Sequence, residues 1–465
     1  MNNRGAIASV AVAIAWLAWA RRGKDRDDDS GDDDNVDDDV DDDDDDDDDD
    51  VCGDGGGDDD DSGGVREVRI VMAGFGDVGK AFARLLLDWE GRLRKEARLV
   101  VTVVAISTGR RGTVLAVGPG AVVDLAKALS AVDGGGMLDA SVVTGGDGVC
   151  TPFAMSEPES ERWIRAAAAE ANRAAPRGGA TTVQRALIEA IPVSYSDGEP
   201  ASKLLRCALS CGLHALSANK GPLVHHRHEL QRLASESNLS YLHESAVMDG
   251  VPVFNMARHC LPLVRIEAVR GCLNSTTTII LSGMESGLSF SEALKGAQDD
   301  GICETDPSGD VDGMDAAVKL TAILSTLGGS GSAVRILPFP SEVTATTESA
   351  DSSPLEWARV AGACIGIRAV TESMVADAKA SGKRWRLVAS AEREAHISSM
   401  WYARVRPELL ESSDPLYGLS GASSALMLHS DTLSPITVTS TNPTTRDTAY
   451  GLLVDMLHAV DKERK

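Results

Sequence analysis

The sequence predicts an α/β protein with two folded parts behind an acidic amino-terminal tail. Three observations lead there: a strand, glycine loop and helix that begin at Val68, apolar runs alternating with amphipathic stretches after it, and an abrupt change of composition near residue 64. The chain has 465 residues with 43% hydrophobic content, enough for a large core and two domains. Residues 1 to 64 hold 25 Asp against 5 Lys or Arg, a net of −20 out of the total −26, which leaves −6 for the rest. The folded part is therefore only mildly acidic and has no basic stripe, so no nucleic acid is expected as a partner.

The run DDDSGDDDNVDDDVDDDDDDDDDD repels itself and offers no apolar surface, so residues up to 64 are expected to be an extended, disordered tail. Ahead of it, Ala6 to Ala20 is an almost unbroken apolar stretch between Arg4 and Arg21. At about 1.5 Å per residue it is short for a membrane span. It suits the core of a targeting signal better, with Ala18-Trp19-Ala20 as an A-x-A cleavage pattern. No stable membrane insertion is expected, and cytoplasm or plastid is the favoured compartment. The eight cysteines form neither a small disulfide scaffold nor a C-x-x-C knuckle and read as reduced thiols.

From Val68, VRIVMAGFGDVGKAFARLLLDWE reads as strand, tight turn and helix. Gly74, Gly76 and Gly79 sit in it as G-x-G-x-x-G, with Phe75, Asp77 and Val78 between them. This is the Rossmann arrangement, in which a dinucleotide pyrophosphate approaches the backbone and meets a helix amino terminus. The next strand ends in Ser107-Thr108-Gly109-Arg110-Arg111, where a site selective for NAD usually places a carboxylate. A hydroxyl on Thr108 and cations on Arg110 and Arg111 suit a 2′-phosphate, so NADP(H) is expected to be preferred over NAD(H).

Residues 113 to 180 read as elaborated connections with one helix around SERWIRAAAAEANRAA. Arg185 to Val193 is a buried strand, and a helix follows with Pro200 near its start and Gly212 past its end. The strand in HALSANKGPL delivers Asn219 and Lys220 at its carboxyl end, where open α/β sheets bind ligands. His225, His226 and His228 have neither metal-ligand spacing nor accompanying carboxylates, and read as a solvated helix start.

Farther on, ETDPSGDVDGMDAAVKL places Glu304, Asp306, Asp310, Asp312 and Asp315 ahead of a single Lys319. Asp315 and Lys319 have the i,i+4 spacing of an ordinary surface ion pair, worth roughly 0.3 to 0.5 kcal/mol. The turn-rich approach through Pro307 builds no core, however, and aims carboxylates toward the lysine. Such charge either solvates a surface or holds a polar substrate.

AGFGDVG, IEAIP, SANKGPL, HESAVMDGVPV, GCLNSTTTIIL and ETDPSGDVDGMDAAVKL follow one another in the order and spacing of homoserine dehydrogenase, and the chain from Val65 to His458 resembles that family. The last motif is the most specific. The resemblance implies a Rossmann domain over 65–250, an α+β catalytic and dimerisation domain over 251–430, and a segment over 431–465 that returns to the nucleotide-binding part. It implies interconversion of L-aspartate 4-semialdehyde and L-homoserine in threonine, methionine and isoleucine biosynthesis, by a homodimer acting on a small-molecule substrate. No regulatory domain is expected after residue 458.

By the same resemblance Gly74 to Gly79 wrap the pyrophosphate, and Lys220 sits by the nicotinamide and the substrate. Asn274 and Thr276 belong to the substrate loop, and Glu304 and Asp310 supply carboxylates for the substrate ammonium. Lys319 holds or protonates the reacting oxygen, with Asp315 orienting it. The main-chain carbonyls of Glu244, Val247, Asp249 and Val251 match a loop that binds a monovalent cation, sodium or potassium. Two departures stand out: Ser275 replaces the more usual Gly, and the segment before the final helix, Asn442 to Thr445, lacks a glycine-rich turn. Two other functions remain open: a related Rossmann reductase of another amino-acid aldehyde, and a catalytically silent dinucleotide-binding protein with an acidic interaction tail.

Overall fold

The computed structural model describes residues 64–151, 157–173, 175–303, 306–328, 334–339, 353–395, 397 and 399–461. The apolar leader, the Asp-rich tail and Glu304 lie outside the described residues. The expected α/β class holds.

Seven strands form the first sheet: β1 (Arg66–Ala73), β2 (Leu99–Ser107), β3 (Thr113–Val117), β4 (Asp147–Thr151), β5 (Thr182–Glu189), β6 (His214–Ser217) and β7 (Tyr241–Leu242), in the order β4-β3-β2-β1-β5-β6-β7. The strands from β2 through β1, β5 and β6 to β7 are parallel, while β3 and β4 add on antiparallel at one edge. Residues 113–151 thus extend the sheet, where the sequence suggested only connections. Their strands are short and glycine-punctuated, so periodicity cannot separate them from loops. β1 is buried along nearly its whole length, including Glu67 and Arg69. Those two satisfy each other through a forked pair at 3.0 Å, and Arg69 also donates to Ala171 O at 2.7 Å. A buried charge tolerated in a central strand needs that full set of partners.

Helix α1 (Asp77–Lys95) packs its buried stripe of Phe82, Leu85 and Leu86 beneath the sheet. On the opposite face lie α2 (Glu157–Arg173) and α3 (Ala201–Ser210), whose Ile164, Leu205 and Ala208 share a core with Val71, Val104 and Leu187.

The second sheet holds β8 (Ile266–Cys272), β9 (Arg335–Pro338), β10 (Arg384–Arg393), β11 (Met400–Leu410), β12 (Ser424–Ser430) and β13 (Ile436–Ser440), in the order β9-β11-β10-β8-β12-β13. It is antiparallel except where β9 meets β11. Because β13 pairs with β12, this sheet runs to Ser440, ten residues beyond the boundary suggested by sequence. The return to the first sheet is the work of one helix near the carboxyl end (Thr445–Asp461), whose Leu452, Leu453 and Met456 join the core beneath α1. Asn442 turns the chain into that helix with φ +47° and accepts from Ala422 N at 3.1 Å. Asn tolerates the left-handed region, so it does the turning that the absent glycines would do. No described helix is long and apolar enough to cross a membrane.

Candidate active site

Ala73, Glu189 and Ser217 stand in one register across β1, β5 and β6, so three chain segments leave the sheet side by side at its carboxyl edge. After β1, Gly74 has φ +102°, and a Cβ there would lie 2.3 Å from Ala190 O; a Cβ on Gly79 would lie 2.4 Å from Gly74 O. Both glycines are therefore steric requirements. Gly76 has nothing within 4 Å of its Cβ position, and it caps α1 without a side-chain hydrogen bond. The first N–H groups of a 19-residue helix are left for a ligand, as a pyrophosphate needs. Phe75 is buried in the loop, Val78 is half-buried, and Asp77 is exposed.

Past β2, the buried Thr108 hydroxyl donates to Gly112 O at 2.9 Å and accepts from Arg111 N at 2.6 Å. That hydroxyl is engaged inside its own turn. Arg111 donates to Gly136 O at 3.2 Å, while Arg110 stands exposed at the tip.

After β5, the fully buried Glu189 accepts from Ile191 N at 2.9 Å, Ser217 Oγ at 2.5 Å and Asn219 Nδ2 at 3.3 Å. Burial pushes its carboxyl up, against the pull of those donors. Glu189 ties two strand ends together. Asn219 then caps α4 (Lys220–His225) through Gly221 N at 2.9 Å, so Lys220 is held at the first helical position. Sequence reading missed Glu189 as a positioning residue, although IEAIP contains it, because a carboxylate inside a strand run carries no local signal of its partners.

Opposite lie α6 (Ser275–Glu285), reached after α5 (Val253–Cys260), and α7 (Met314–Leu327), which starts after Gly313 at φ +87°. Asp315 lies in the first turn of α7, and its buried carboxylate collects four partners. Oδ1 takes Lys220 Nζ at 2.8 Å and Tyr195 Oη at 3.5 Å; Oδ2 takes Lys319 Nζ at 3.0 Å and Asn274 Nδ2 at 2.9 Å. Burial alone pushes this carboxyl up, but the two ammoniums and the amide outweigh it and hold it well below the usual carboxylate range. Lys319 also donates to Leu273 O at 2.9 Å. Tyr195, absent from the sequence expectations, places its ring 5.6 Å from Lys220 Nζ.

Asn274 caps α6 through Thr277 N at 2.8 Å, and its Nδ2 bridges Asp315 and Asp310, the latter at 2.6 Å. Both amide N–H donors are taken by protein carboxylates and Oδ1 accepts from Thr277 N, so Asn274 positions the two carboxylates. Asp310 is half-buried, Thr276 is buried, and Ser275 is the half-buried first residue of α6. The structure thus joins Lys220, Asn274, Asp310, Asp315 and Lys319.

In the 244–251 loop, the Glu244 carboxylate accepts from Phe254 N and Asn255 N, both at 2.8 Å, at the amino end of α5, and Glu244 N donates to Asp455 Oδ2 at 2.8 Å. Val251 O accepts from Val253 N at 2.7 Å, and Met248 and Asp249 are both left-handed at φ +52° and +54°. His225 and His226 bond to the carbonyls of Tyr195 and Asp197 at 3.0 and 2.9 Å, which makes them structural ties. Among the described residues no cluster of His, Cys, Asp or Glu side chains has the form of a metal site.

A glycine loop fitted to a pyrophosphate, beside two ammoniums on one buried carboxylate, defines the class as a nucleotide-dependent oxidoreductase. Residues 252–457 match the family model for homoserine dehydrogenase. The chain is 33% identical over 272 residues to the NAD(+)-dependent homoserine dehydrogenase of Pseudomonas canavaninivorans, covering 58% of this chain and 70% of the relative. It is 25% identical over 397 residues to that of Methanocaldococcus jannaschii, covering 85% and 99%. Its fold is that of a putative homoserine dehydrogenase from Archaeoglobus fulgidus, with TM-score 0.61, 27% identity, and 84% and 98% of the two chains covered. A hyperthermophilic archaeal homoserine dehydrogenase solved with NADPH gives the same TM-score at 23% identity, covering 85% and 98%. The chain belongs to the homoserine dehydrogenase family.

Proposed function

We propose that this NAD(P)-dependent oxidoreductase reduces L-aspartate 4-semialdehyde to L-homoserine, with NADPH preferred, on the route to threonine, methionine and isoleucine. One observation carries the reading: the two ammoniums of Lys220 and Lys319 share the buried carboxylate of Asp315 at 2.8 and 3.0 Å.

A bound nicotinamide supplies the hydride; the loop from Gly74 to Gly79 and the helix behind it suit its pyrophosphate, and Lys220 stands at the neighbouring strand end. Reduction of an aldehyde leaves negative charge on oxygen. Lys319 has three N–H donors, of which Asp315 and Leu273 O take two, so one remains for that oxygen. A positioned ammonium can hold the developing charge and deliver the proton that completes the alcohol. At Asp315 one carboxylate faces two ammoniums, and the second carboxylate of the centre, Asp310, is held by Asn274 Nδ2. Asp310, set by Asn274, suits the substrate ammonium, and Glu304 and Thr276 join it in this proposal. The reading further includes a homodimer and a monovalent cation on the carbonyls of Glu244, Val247, Asp249 and Val251. Support for the cation is the paired left-handed turn at Met248 and Asp249, a conformation that costs of order 1–3 kcal/mol per residue and needs a compensating role.

The test follows NADPH and NADH oxidation with L-aspartate 4-semialdehyde, and with other amino-acid aldehydes, in sodium, potassium or choline chloride. Turnover confined to another aldehyde would favour the related reductase, and NADPH binding without any turnover would favour the silent binding protein.

A further inference from the structure

Tyr195 lies in the connection between β5 and α3 and meets the catalytic centre on two sides. Its ring centroid is 5.6 Å from Lys220 Nζ, and its hydroxyl is 3.5 Å from Asp315 Oδ1, the oxygen that Lys220 holds at 2.8 Å. Ammonium, ring and carboxylate thus form one triangle.

The connection is built against the helix that carries Lys220. His225, at the far end of α4, donates from Nε2 to Tyr195 O at 3.0 Å, so the first and last residues of that helix both meet the tyrosine. A Cβ on Gly198 would lie 2.7 Å from Gly221 O, and one on Gly221 would lie 2.8 Å from Ser194 O. Backbone therefore touches backbone on both flanks of Tyr195. Asp197 Oδ1 stiffens the turn by accepting from Ser194 Oγ at 2.7 Å and from Glu199 N at 3.0 Å. The tyrosine itself packs against the hydrophobic cluster that holds Leu223 of α4 and Ala316 of α7.

Distances decide which of its contacts matters. An O–H···O bond is usually about 2.7 to 2.8 Å long, so the hydroxyl contact at 3.5 Å is weak. The Lys220 side chain is only 17% exposed, and a largely desolvated ammonium within about 6 Å of an aromatic face is held more firmly than an exposed one. The ring outweighs the hydroxyl. Its hold on Lys220 reaches the other lysine as well: with Asp315 Oδ1 taken, Lys319 is confined to Oδ2 and Leu273 O, and its third N–H keeps one direction.

We propose that Tyr195 is a positioning residue, whose ring holds Lys220 on Asp315 Oδ1 and so sets the direction in which Lys319 meets the reacting oxygen. The second half of this inference rests on the reduction assigned above.

The experiment compares the full chain with its Tyr195→Met and Tyr195→Phe variants. Methionine fills similar space without an aromatic face, while phenylalanine keeps the face and loses the hydroxyl. Brief labelling with acetic anhydride, mapped by mass spectrometry, reports the reactivity of Lys220 relative to the exposed Lys127. NADPH oxidation with L-aspartate 4-semialdehyde reports kcat. Tyr195→Met should raise the relative labelling of Lys220 and lower kcat, each about tenfold, as loss of a desolvated cation–ring contact predicts. Tyr195→Phe should change each by about threefold, the scale of one weak hydrogen bond. A tyrosine that merely packed the core would lower the thermal midpoint and leave the labelling of Lys220 alone. Unchanged labelling in Tyr195→Met, raised labelling with kcat kept, or a loss in Tyr195→Phe of about tenfold or more on the same scale overturns the proposal. The Phe variant preserves the packing, so that last arm reports even where the Met variant fails to fold. Absence of turnover by the parent overturns the assigned reaction instead, and the labelling then decides by itself whether Tyr195 holds Lys220.

Discussion

Lys220 Nζ lies 2.8 Å from Asp315 Oδ1, across the gap between the first sheet and a helix packed on the second. The carboxylate is buried, and two lysines keep it ionised. Its pKa is depressed by folding, so its stabilising contribution is present above the unfolded carboxyl value and is lost only as pH falls through the still lower folded value. Across neutral pH Asp315 is therefore a fixed charge that orients two ammoniums.

Lys319→Ala should lower kcat by roughly two to four orders of magnitude, the range for losing a positioned acid or an ammonium on the reacting oxygen. NADPH affinity, measured by fluorescence titration, should hardly change. Activity within about threefold of the parent would remove Lys319 from the chemistry.

Asn274→Ser separates two duties of one side chain. Serine can still cap α6, so the thermal midpoint should stay close to the parent's. The bridge between Asp310 and Asp315 is lost, so kcat should fall about tenfold or more, by analogy with hydrogen bonds to charged groups. Should the midpoint drop while kinetics hold, Asn274 serves as a cap alone.

Burial pushes the Glu244 carboxyl up to about 7, against the N–H groups of Phe254 and Asn255. The folded chain then binds a proton that the unfolded chain releases above its ordinary value of 4.5. Stability should decline as pH rises from about 4.5 to 7, by an amount of order a few kcal/mol. Thermal midpoints measured across that window should show the slope, and Glu244→Gln should flatten it. An unchanged slope in the variant assigns the titration elsewhere, with the neighbouring Asp455 as the first suspect.

Arg110 stands exposed where an NAD-selective turn carries a carboxylate, so kcat/KM should favour NADPH over NADH by roughly ten- to a hundredfold. Arg110→Ala should erase most of that ratio by weakening NADPH use alone. A parent enzyme that prefers NADH, as the name of the Pseudomonas canavaninivorans relative would suggest, or a variant that slows both cofactors equally, makes Arg110 a surface residue.

Much of the site could be read from residues near one another in the chain. The glycine loop is legible because each glycine answers a local steric demand, and Lys220 because it sits at a strand end. The spacing of Asp315 and Lys319 is one helical turn, so their pairing is local as well. Local spacing could not say whether that pair was buried, and burial is what turns an ordinary surface pair into a fixed charge. Other assignments needed the fold. Glu189 became a hub and Asn274 a brace because their partners come from other elements. That the Thr108 hydroxyl closes a turn onto Gly112 O is likewise not specified by residue type alone.

The sequence by itself determined the class of fold, the nucleotide loop and the residues available for the chemistry, because strand and helix periods, glycine geometry and i,i+4 spacing are all short-range. Only the tertiary structure decided that Lys220 and Lys319 share one buried carboxylate, and that β13 stays with the second sheet while the last helix packs under α1. Those outcomes depend on which surfaces are removed from water together, and burial is a property of the packed chain.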